Sequence, residues 1–158
     1  KFYDEQYKAS QSIPNTGMVA TVDFGEEGCI HPAEKKIVGQ RLSYWALAQT
    51  YGYQGIEYKN PVMKSYEVKD SSLVVTFDNS ANGLSAYGKE ITNFEIAGED
   101  KVFYPAVAKI KSKQLVLTST SVKKPVAARY AYVNYPAGKG FLYNIAGLPV
   151  LPFRTDNW

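Results

Sequence analysis

Disulfides, zinc-binding thiol pairs and a basic surface stripe are all missing from this chain. Its 158 residues include one cysteine, Cys29, so no internal disulfide can form and no C-x-x-C pair offers two thiolates to a metal. Cys29 itself reads as a small buried hydrophobe. No apolar run approaches the ~20 residues that a bilayer crossing requires. The net charge of +3 comes from lysines scattered among acidic residues, with Lys35-Lys36 and Lys123-Lys124 the only doublets, which argues against nucleic acid as a partner. Histidine is as scarce as cysteine: His31 stands alone. A nucleophile turn is lacking too, because Gly83-Leu84-Ser85-Ala86-Tyr87-Gly88 misses the G-x-S-x-G spacing by one residue and follows a turn rather than a strand.

What is present describes a globular chain. Hydrophobic residues make up 45% and charged residues 21%, enough apolar surface to offset chain entropy. The chain opens on Lys1-Phe2-Tyr3-Asp4-Glu5, a charged stretch that resembles a cut through a larger protein rather than a leader. Residues 2–9 have helical composition with no capping residue ahead, so they read as the last turns of a helix. Pro14-Asn15-Thr16-Gly17 supplies turn chemistry. Met18-Val19-Ala20-Thr21-Val22 then reads as a strand buried on both faces and ending at Asp23.

From Pro32 the period becomes helical, with Ile37, Val38, Leu42, Trp45, Ala46 and Ala48 on one stripe and Glu34, Lys35, Arg41 and Gln49 facing away. Pro32 suits the first helical turn and Gly52 the stop. Helix, strand and helix make an αβα unit, the closing piece of a doubly wound sheet. After residue 56 the pattern turns to β. Strands are predicted at 62–69, 72–78, 92–97, 102–110, 114–120, 126–134 and 140–145, spaced as a β-sandwich requires. Leu73, Val75 and Phe77 share one face, as do Val126, Ala128, Tyr130 and Tyr132. The segment from Gly147 to Trp158 reads as an extended tail laid on a surface.

His31 is the first candidate for chemistry. It ends a loop that feeds a helix, where its ring can reach over the carboxyl edge of a sheet and exchange a proton with a hydroxyl. A histidine that caps or packs beside its helix fits the same position. An imidazole base is usually oriented by a carboxylate. Asp23, Glu26 and Glu27 all precede His31 closely, and Asp23, at the strand end, is best placed, although a turn role beside Gly25 suits it equally. Ser85 and Cys29 lack the line to His31 that a nucleophile needs. Aromatics such as Tyr87, Phe94, Phe103, Tyr104, Tyr130, Tyr132, Tyr135, Phe141 and Tyr143 are either core or sugar-stacking surfaces. Arg129 is either a solvated arginine or the partner of a carboxylate from the other region.

Val22-Asp23-Phe24-Gly25, Ile30-His31-Pro32 and Val38-Gly39-Gln40-Arg41-Leu42 together resemble the final catalytic block of the sialate O-acetylesterases, a carbohydrate-esterase branch of the SGNH hydrolases. Phe94-Glu95-Ile96-Ala97-Gly98-Glu99-Asp100, Pro125-Val126-Ala127-Ala128-Arg129-Tyr130-Ala131-Tyr132 and Leu148-Pro149-Val150-Leu151-Pro152-Phe153-Arg154-Thr155-Asp156 are similar to the C-terminal β-domain of the bacterial members.

The resemblance implies an αβα closing fragment of an SGNH domain over residues 1–56 and a β-sandwich over 57–158. It implies hydrolysis of acetyl esters on sialic acid, typically at the 9-O position. His31 would be the base, Asp23 its acid partner, and the serine would lie upstream of Lys1. Neither a metal nor an organic cofactor is expected. The implied partners are an O-acetylated sialic acid or related glycan and the missing part of the catalytic domain, in a periplasmic or secreted bacterial setting. Many SGNH hydrolases carry Asp three residues before the histidine, where this chain has Gly28. The competing expectation is a carbohydrate-binding or docking β-module without catalysis.

Overall fold

A computed structural model describes residues 2–138 and 140–158. Helix α1 covers Phe2–Ser12 and α2 covers Lys35–Trp45, running on into a π-helical turn at Ala46–Thr50. The strands are β1 Val62–Lys69, β2 Ser72–Asp78, β3 Leu84–Ser85, β4 Phe94–Ala97, β5 Phe103–Pro105, β6 Val107–Lys111, β7 Gln114–Thr118, β8 Ala127–Tyr130, β9 Tyr143–Asn144 and β10 Phe153–Arg154. Three antiparallel sheets result, ordered β1-β2-β7-β6, β10-β8-β4-β5 and β3-β9.

The inward faces of the two larger sheets meet in one buried cluster. Leu73, Val75 and Phe77 of β2 with Leu115 and Leu117 of β7 supply one side, and Phe94, Ile96, Ala128, Tyr130 and Phe153 the other. Strict alternation along β2 puts Leu73 opposite Val68 of β1 and Leu117 of β7, so a one-residue slip would turn this face outward. Phe94 stacks on Tyr130 at 4.3 Å, and the Tyr130 hydroxyl accepts the Leu142 N–H at 3.0 Å. Burial pushes that phenol well above the ordinary tyrosine pKa.

Four expectations are revised. The predicted strand 102–110 is two strands in different sheets: Phe103–Pro105 pairs with β4, Val107–Lys111 pairs with β7, and the chain crosses over at Ala106, whose N–H goes to Phe94 O at 2.9 Å. Strand 126–134 stops at Tyr130 because Ala131 takes a left-handed φ of 47°. The C-terminal segment is core rather than a surface tail, with Leu148, Val150, Leu151 and Phe153 buried and β10 paired to β8.

Finally, Met18–Val22 forms no strand, and the middle β of the expected αβα unit is absent among the described residues. Side chains take the place of a ladder there. The Ala20 N–H donates to Asn60 Oδ1, Arg41 Nη1 donates to Ala20 O, and Trp45 Nε1 donates to Met18 O. Ala20 and Val22 join the same buried cluster as the sheets. Gly17 lets this segment lie against α2, because a Cβ there would come within 2.7 Å of the Trp45 ring.

Candidate functional site

The polypeptide from Asp23 to Lys35 is a loop tied at several points. A turn closes between Thr21 O and Phe24 N–H at 3.5 Å, and a second between Glu26 O and Cys29 N–H at 3.3 Å. Glu26 Oε1 then accepts the Ala33 N–H at 2.6 Å, seven residues on. Between these ties the chain presents Ile30, 90% exposed, and His31, also exposed. Cys29 Sγ lies 3.4 Å from both the backbone N and O of His31.

The exposed His31 ring makes no hydrogen bond among the described residues, so it does not cap α2. Helix α2 starts at Lys35 rather than Pro32, which keeps the histidine clear of the helix barrel. Cys29 is exposed and not the buried hydrophobe its composition suggested.

Among the described residues Asp23 makes no hydrogen bond to His31. Its Oδ1 and Oδ2 accept hydrogen bonds from Arg41 Nη1 at 2.8 Å and Nη2 at 2.7 Å, and both side chains are 7% exposed. The fork geometry of this pair occupies the carboxylate from one side. Tyr143 borders it from the other. Burial raises the Tyr143 phenol pKa, and the neighbouring Asp23 charge raises it further. The Arg41 guanidinium also lies 5.3 Å from the Phe24 ring centroid. Asp23 is therefore an anchor between the loop, α2 and β9, with its carboxylate paired to the Arg41 guanidinium.

Arg41 was expected to face solvent and is instead the buried residue of α2, while Leu42 is 46% exposed. The signal was present in the spacing: 37, 41 and 45 lie one turn apart, so Arg41 shares the stripe of Ile37 and Trp45.

Other candidates settle elsewhere. Ser85 lies in β3, where its Oγ accepts the Tyr87 N–H at 3.0 Å within a turn, and it has no histidine partner. Arg129 does find a carboxylate, but within the β-part: Asp156, with Nε–Oδ1 at 3.0 Å and Nη2–Oδ2 at 2.7 Å. Its guanidinium also stacks 3.8 Å from the Phe103 centroid. Of the aromatics, Phe94, Tyr130 and Phe141 are core. A groove of about 830 Å³ runs between α1 and residues 131–134, lined by Phe2, Tyr3, Gln6, Tyr132 and Asn134 and not by His31. Among the described residues no group of three His, Cys, Asp or Glu side chains is arranged to hold a metal ion, and no helix is long and apolar enough to cross a membrane.

No model of a known protein family matches the sequence. Among curated proteins the chain is similar to the sialate O-acetylesterase of Mus musculus, 27% identical over 135 residues, and to that of Rattus norvegicus, 29% identical over 135 residues. Each alignment covers 78% of this chain and 24% of the relative, so the chain spans about a quarter of the length of the curated relatives it matches. Among solved structures it is similar to a novel carbohydrate acetylesterase from Xanthomonas citri, with a TM-score of 0.87 and 35% identity over 98% of this chain and 35% of that one.

Proposed function

We propose that this chain is the C-terminal part of a carbohydrate acetylesterase of the SGNH type and that His31 is its general base. The observation that carries this reading is a solvent-facing imidazole with no hydrogen-bond partner among the described residues, held on a tied loop. It sits in a chain nearly all of whose fold superposes on part of a carbohydrate acetylesterase. Residues 1–56 are read as the closing piece of the catalytic domain and 57–158 as a β-sandwich. The change from helices to antiparallel strands after Thr50 supports this division, with Ala20 and Val22 of the first part reaching into the β core.

In this mechanism a serine from outside the chain approaches His31. Imidazole nitrogen takes the hydroxyl proton as the oxygen attacks the acetyl carbonyl, and the collapsing tetrahedral intermediate expels the sugar alkoxide, which receives that proton from the imidazolium. Water then repeats the sequence on the acetyl-serine and releases acetate. The substrate is an O-acetylated sialic acid or a related acetylated glycan, with the 9-O ester the preferred position. Asp23 serves this chemistry by anchoring the loop through Arg41. The same reading carries the expectation of a periplasmic or secreted location. A sugar-binding module without catalysis is the competing reading; of its nine candidate aromatics Phe94, Tyr130 and Phe141 are spent in the core.

Acetate release by the full-length protein from O-acetylated sialic acid tests the proposal. His31→Ala is expected to lower turnover by roughly 10²–10⁴-fold while leaving the unfolding midpoint unchanged, because the side chain is exposed. Near-parental turnover in that variant defeats the assignment.

A further inference from the structure

We infer that Glu26 is a positioning residue for His31, a role that rests on the reading of His31 as the base. Glu26 holds the loop twice. Its backbone carbonyl accepts the Cys29 N–H at 3.3 Å, and its carboxylate accepts the Ala33 N–H at 2.6 Å. His31 lies between those two attachment points, so both flanks of the imidazole are fixed to one residue. Among the described residues no other side-chain hydrogen bond spans the loop from 26 to 33, since the Cys29 contacts reach only two residues along the chain.

A second observation explains why a carboxylate does this. Helix α2 enters with Lys35 and Lys36 and has no acidic residue in its first turn, and Glu34 at its mouth makes no side-chain capping bond. The first amides of a helix lack partners and carry the positive end of its dipole. Ala33 lies directly before that mouth, with Lys35 N–H donating to Ala33 O at 2.8 Å. The Glu26 carboxylate thus lies beside the helix entrance, bonded to the amide just before the N-cap, and that bond closes the loop. Gly28, which touches nothing within 4 Å of where a Cβ would stand, adds no rigidity to the turn. Without the Glu26 carboxylate the histidine would be carried on an arc tied only at Cys29 and free from there to α2.

Misplacing a catalytic group by about an ångström can cost on the order of 10²-fold in rate. In the full-length protein, Glu26→Ala is expected to lower kcat by roughly 10- to 100-fold with KM and the unfolding midpoint unchanged. Glu26→Gln, which keeps an acceptor oxygen, retains most of the parental kcat. Hydrogen exchange of the Ala33 amide reads the same tie without catalysis, and should speed by about tenfold or more in Glu26→Ala and stay slow in Glu26→Gln.

A parental kcat in Glu26→Ala overturns the inference, as does unchanged Ala33 exchange. A Glu26→Gln variant as slow as Glu26→Ala also overturns it, because charge rather than the tie would then be required. His31→Ala in the same series separates the two ideas. Activity retained there removes the base assignment, while activity lost there with Glu26→Ala at the parental rate removes only the positioning role.

Discussion

Asp23 shows how a carboxylate at an attractive address can belong to another partner. Sequence placed it at a run of apolar residues ahead of the histidine, and nothing local said that a guanidinium eighteen residues later would claim it. The pair is nearly dry, with each side chain 7% exposed. Removing one member of such a pair leaves a buried charge uncompensated, at a cost of about 3–5 kcal/mol. Asp23→Ala is therefore expected to lower unfolding free energy by that order in urea denaturation. In the full-length protein the Asp23→Asn pH–rate profile should keep the position of its acidic limb, because Asp23 does not bond the imidazole. A shifted limb with unchanged stability would restore Asp23 as the acid partner. His31 itself was legible, since a lone histidine between a turn and a helix is visible in one dimension. Glu26 was visible only as one of three nearby acids, because its bond is to a backbone amide and leaves no mark in residue type.

Among the elements, β1 and β2 could be read to the residue, because apolar alternation and turn residues at both ends agree. The strand at 102–110 could not. A sequence pattern continuous across Pro105 and Ala106 carries no sign that its halves join different sheets, which is decided by the partners at β4 and β7. The C-terminal segment was misread for a related reason: two prolines interrupt its periodicity, yet Leu148, Val150 and Phe153 fill the core. Asp156 finishes that segment as a clasp, taking Arg129 of β8 and Arg154 of β10 on one carboxylate.

Burial alone would raise the Asp156 pKa, but the two guanidinium partners overcome it and hold it below the usual carboxylate range. A depressed folded pKa adds stability that is full above the unfolded value of ~3.9 and is lost as pH falls through the folded value. Asp156→Asn should therefore be less stable than the parent at pH 7, by about 1.5–3 kcal/mol. The gap should close as the pH drops below about 4. A gap that stays constant into strong acid, measured by urea unfolding at each pH, would remove the clasp from the account.

Across the whole molecule, the β-layers and part of the helical region share one core. Both larger sheets and the Met18–Val22 segment contribute to it, whereas α1 sends only a half-buried Tyr7 against it and the histidine loop faces solvent. The resemblance read from sequence agrees with the likeness to acetylesterases, but those relatives are three to four times longer than the matched part. The proposed chemistry accordingly divides, with His31 as the base on this chain and a nucleophile elsewhere. Restoring an imidazole to the vacated position tests that division most directly. Full-length protein carrying His31→Ala should release little acetate from an O-acetylated sugar, and added free imidazole should recover a substantial part of the lost turnover in a saturable way. Loss without recovery at any imidazole concentration, or no loss at all, would contradict a proton-transfer role for His31.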